Sequence, residues 1–100
     1  MASRRRIKKE IDYVVSDLIL DCFTYANLYH KTNDEESLKI VQDVLNLRND
    51  LRYKANHPEA KAENQSAKNY YDNLAETLIS GVEEGYGKLG KLVSQEAPKE

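Results

Sequence analysis

The segment from Ile7 to Tyr29, IKKEIDYVVSDLILDCFTYANLY, is apolar on two faces at once. At about 100° per residue on an α-helix, Ile7, Ile11, Val14, Val15, Leu18, Cys22, Tyr25 and Tyr29 share one arc of roughly 100°. That is the stripe of a helix facing a core. Tyr13, Ile19, Leu20 and Phe23 fall outside the arc, and Leu20 and Tyr13 lie nearly opposite it. A helix apolar on two faces is usually covered on two faces, so this one asks for both a core and a further partner.

The rest of the chain reads as two more helices. Tyr29 is followed by His30-Lys31-Thr32-Asn33-Asp34-Glu35-Glu36. Basic residues suit a helix end, and Thr32 or Asn33 can cap the next helix with Glu35 or Glu36 three residues on. The second stripe is Ile40, Val41, Val44, Leu45, Leu47, Leu51 and Ala55. Asn56-His57-Pro58 ends it, because the residue before proline avoids the α region. The third carries Ala67, Tyr71, Leu74, Ala75, Leu78, Val82, Leu89 and Leu92, spaced mostly by three and four. Connections this short make successive helices antiparallel. The expected fold is all-α: one elongated three-helix bundle domain over residues 1–100. Its helices are expected at about 5–30, 34–55 and 64–93, with frayed ends at 1–5 and 94–100.

Arg48 sits within the apolar arc of the second helix, where an unpaired charge is costly, so it should reach a carboxylate or snorkel. A hairpin turning near Thr32 brings it level with Asp17, with Asp21 one turn away. An Arg48–Asp17 or Arg48–Asp21 pair, acting as a structural clamp, is the expectation. Gly81, Gly85, Gly87 and Gly90 each cost a helix about 1 kcal/mol relative to alanine. In an up-down-up bundle, Gly81 and Gly85 are expected to make room for Tyr25 and Tyr29. A small-ligand slot among those four residues is the alternative.

Composition narrows the function classes. With 32% charged and 40% apolar residues, the chain has a globular balance. Its single cysteine, Cys22, excludes an internal disulfide and lies on the core stripe, where free cysteine packs as a small hydrophobe. Asp12, Asp17 and Asp21 interrupt the first helix, so neither a signal peptide nor a membrane span is read there, and the expected location is cytoplasmic. Five positive charges, on Arg4, Arg5, Arg6, Lys8 and Lys9, precede a body that is acidic, since the whole chain carries −2. Such an arm is a candidate contact for an anion or nucleic acid.

Motifs of catalysis are lacking. Gly85-Tyr86-Gly87-Lys88-Leu89-Gly90 spells G-x-G-x-x-G, but a helical stripe stands where the nucleotide fold requires a strand. The phosphate-loop pattern from Gly85 fails at Leu92, where a hydroxyl should hold magnesium. No glutamate has a histidine three residues on, and His30 and His57 follow successive helices, at opposite ends of a hairpin. Cys22 and His30 are about 12 Å apart along a helix, too far for a nucleophile and its base. No cofactor and no metal site is expected.

The runs IKKEIDYVVSDLILDC, NLRNDL followed by NHPE, and NYYDNLAETLISGVEEGYGKL resemble a group of small uncharacterised bacterial all-helical proteins. That resemblance implies an all-α fold and a bacterial cytosolic setting, with no activity to carry over. The residues themselves favour a non-enzymatic interaction or structural protein. It is expected to form a homodimer through the back of the first helix, at Tyr13, Ile19, Leu20 and Phe23. The alternative is a nucleic-acid accessory protein using the basic arm.

Overall fold

A computed structural model describes residues 4–31, 34–60 and 63–96. Three helices, α1 (Arg4–Leu28), α2 (Glu35–Asn56) and α3 (Ala67–Glu96), run up, down and up, with a short 3-10 turn at Pro58–Ala60 before α3. Each helix packs on both others, and no strand occurs among the described residues. The bundle is elongated, measuring 55 × 23 × 19 Å. Its radius of gyration of 16.0 Å exceeds the roughly 13 Å of a compact chain this long.

The apolar stripes meet as expected. Ile11, Val15, Leu18 and Cys22 of α1 are buried against Val44, Leu51 and Ala55 of α2 and Leu78 and Val82 of α3. Leu18 and Leu51 are among the largest fully buried side chains, and truncating either to alanine removes about 2–5 kcal/mol.

The helix ends depart from expectation by a few residues, each for a local reason. Helix α1 stops at Leu28 because His30 takes a left-handed conformation, φ 56°, and Lys31 N–H donates to the Ala26 carbonyl at 2.7 Å. That is the backbone pattern of a Schellman cap, with histidine where glycine is commonest. The cap of α2 is Asp34, whose carboxylate accepts from Ser37 N–H at 3.0 Å. Thr32 and Asn33, expected in that role, lie outside the described residues. Glu35 and Glu36 occupy the first turn, where they match the helix dipole.

Helix α3 begins three residues later than expected. Ser66 Oγ accepts from Asn69 N–H at 3.1 Å, fixing the first turn. Arg4, Arg5 and Ser94–Glu96, expected as frayed, belong to helices; residues 1–3 and 97–100 lie outside the described residues.

Tyr70 and Tyr71 lock α3 to the end of α2. The Tyr70 hydroxyl donates to the Lys54 carbonyl at 2.7 Å and lies 3.2 Å from that of His57, while Tyr71 reaches the Ala55 carbonyl at 3.4 Å. The last carbonyls of a helix have no partner within it. Two buried tyrosines supply one.

Candidate interaction face on α1 and α2

The second apolar face of α1 is left open by its own bundle. Tyr13 is 76% exposed, Leu20 61% and Phe23 51%, whereas Ile19 is half-buried and packs against the core. The face continues onto α2, where Leu38 is 49% exposed and Leu45, assigned to the core by spacing, lies at the surface. Between the helices runs a groove of about 350 Å³, lined by Cys22, Phe23, Ala26, Leu38 and Val41 among others. Burial pushes the Cys22 thiol above its ordinary pKa, with Asp21 adding to the rise, which keeps it a packing residue.

Towards the start of α1 the same face becomes polar. Arg52 Nη1 lies 2.7 Å and 2.6 Å from the two carboxylate oxygens of Asp12, and Arg48 Nε is 3.5 Å from the same group. The Arg52 hydrogen bond, above all, holds the Asp12 carboxyl below the usual aspartate range, against a smaller opposing effect of burial. Lys8 donates to Asn56 Oδ1 at 3.0 Å. Together Arg4, Arg5, Lys8, Lys9, Asp12 and Arg52 line a shallow groove of about 440 Å³. Arg6 turns away and pairs with Glu10 at 3.3 Å. Four of the five expected basic residues thus share one surface, and Arg52, which spacing alone did not connect to them, joins it.

The expected partners of Arg48 are incorrect. Asp12 lies about 100° round the helix from Ile11, on the flank that meets α2; Asp21 lies about 80° and Asp17 about 120° round the other way. Both therefore sit on the α3 side, beside Tyr86. Burial first, then those two carboxylates, raise the Tyr86 phenol above its ordinary pKa. The clamp exists, but Asp12 forms it.

Gly81 and Gly85 do not make room for Tyr25 and Tyr29 as expected, and the alternative, a slot among the four residues, does not form either. Gly81 packs against Leu47 of α2, and a Cβ at Gly85 would stand 2.6 Å from Leu18 Cδ2. Tyr25 and Tyr29 lie further along, in an open groove of about 390 Å³ with Tyr86, Leu89, Gly90 and Val93. The glycines do make room, for leucines. Gly85 thus stands at the level of Leu18, about two turns of α1 short of Tyr25.

Among the described residues no three His, Cys, Asp or Glu side chains gather to hold a metal ion. His57 stacks on Tyr53 at 4.1 Å and lies 2.9 Å from Glu59. No described helix is long and apolar enough to cross a membrane. The chain matches no family model, no curated protein and no solved structure.

Proposed function

We propose that this chain is a non-enzymatic interaction protein that associates with itself through the outward face of α1, widened by Leu38 and Leu45 of α2. The observation that carries this reading is the exposure of Tyr13, Leu20 and Phe23 on the back of α1 and of Leu38 on α2, with Phe23 and Leu38 lining one groove. Monomeric proteins rarely leave contiguous apolar patches larger than a few hundred Å². Fully burying an exposed leucine or phenylalanine is worth about 1.5–3 kcal/mol, so a few such side chains can hold two copies together. Sedimentation equilibrium tests it: the expected result is a dimer that Leu20→Glu converts to a monomer with unchanged helical circular dichroism. A wild-type monomer at millimolar concentration overturns the reading, as does a dimer indifferent to Leu20→Glu.

A second reading rests on the basic groove. The first turn of α1 carries no acidic residue, and its cations oppose the helix dipole, so an anion lying across them relieves that repulsion. A nucleic acid is the polyanion that such an arm suits. Binding of a short duplex or single strand should appear at low salt and be lost in an Arg5→Glu, Lys9→Glu double variant. These two side chains are exposed, whereas deleting the arm removes buried Ile7. No binding at low salt ends this reading.

A further inference from the structure

Resting on the self-association proposed above, we infer that the second copy docks antiparallel, about a two-fold axis crossing the back of α1 between Ser16 and Leu20. Charge distinguishes this from the parallel alternative. One end of the face exposes Arg5 and Lys9; the other begins α2 with exposed Glu35. Parallel pairing stacks Arg5 and Lys9 on their own copies across about 10 Å, the spacing of packed helices, where like charges repel. Antiparallel pairing brings Lys9 to the level of Asn27 on the second copy, and Glu35 stands beside that level at the start of α2.

The side chains along the back of α1 suit the same axis. Tyr13 and Phe23 are equally distant from it, so each Tyr13 faces Phe23 of the second copy. Ser16 likewise faces Leu20, a small residue opposite a large one. Both relations repeat twice, as a self-complementary interface requires. The area is also adequate. A face about 33 Å long and two helices wide covers on the order of 700 Å², close to the roughly 800 Å² per partner of a standard interface.

The test uses the full chain with a nitroxide on Asn27→Cys, an exposed position, Cys22 being buried. Pulsed dipolar spectroscopy should give an inter-copy separation of about 27 Å, twice nine residues of helical rise. Alongside it, Lys9→Glu should weaken the dimer about two- to fivefold, the scale of an exposed charge pair, and adding Glu35→Lys should restore it. A separation below about 15 Å, the scale of directly packed helices, overturns the antiparallel arrangement and leaves self-association standing. Tighter dimers from Lys9→Glu have the same meaning. A sample that stays monomeric overturns both.

Discussion

Arg52 grips Asp12 across the α1–α2 hairpin with one nitrogen 2.7 Å and 2.6 Å from its two carboxylate oxygens. The pair is part of the lining of the basic groove. It fixes the register of the two helices at that level and withdraws one cation of the groove from solvent.

Asp12→Asn should therefore destabilise the bundle by about 0.5–1 kcal/mol at neutral pH, the range of a partly exposed ion pair. The Asp12 carboxyl titrates below the usual value of about 3.9. Its contribution is complete above the ordinary aspartate range and is lost as the pH falls through the lowered folded value. Urea melts of wild type and Asp12→Asn should differ at pH 7 and converge as the pH falls through the lowered Asp12 value. A constant gap across that range contradicts the assignment.

The four glycines should respond to alanine with different signs. A helix interior gains about 1 kcal/mol from each such change. At Gly87 and Gly90 nothing stands within 4 Å of an added Cβ, so both substitutions should stabilise by about that amount. At Gly85 the new methyl meets fully buried Leu18, and overpacking of about 1–3 kcal/mol should outweigh the gain. Gly81 meets half-buried Leu47, whose side-chain end can swing aside, so the net change should be near zero. Thermal denaturation of the four single variants reads the order.

Tyr70→Phe should cost about 1 kcal/mol, because it removes the donor to the Lys54 carbonyl while keeping the ring. Tyr71→Phe should cost less, its contact with the Ala55 carbonyl being 3.4 Å. Hydrogen exchange at the end of α2 should quicken in Tyr70→Phe before the centre of that helix is affected. Equal costs for the two variants are incompatible with Tyr70 making the stronger contact.

Much of this arrangement was legible along the chain. The stripe from Ile7 to Tyr25 read as core because spacing by three and four leaves a helix little choice of buried side. The exposure of Tyr13, Leu20 and Phe23 followed from the same wheel. Tyr70 was missed, since it lies about 80° from Leu78 on α3 and is buried only because the end of α2 folds over it. Leu45 erred the opposite way. It stands about 100° from Val44, at the outer edge of the flank that meets α1.

Residue spacing by itself determined three helices, their buried stripes and a second apolar face on the first, because helical period and side-chain hydrophobicity are local properties. Tertiary structure decided which flank of α1 meets α2 and how far α3 slides along it. A stripe is symmetric about its centre and does not state the hand of the bundle. For that reason Arg48 met Asp12 instead of Asp17 or Asp21. The packing of all three helices then set Gly85 against Leu18 instead of Tyr25.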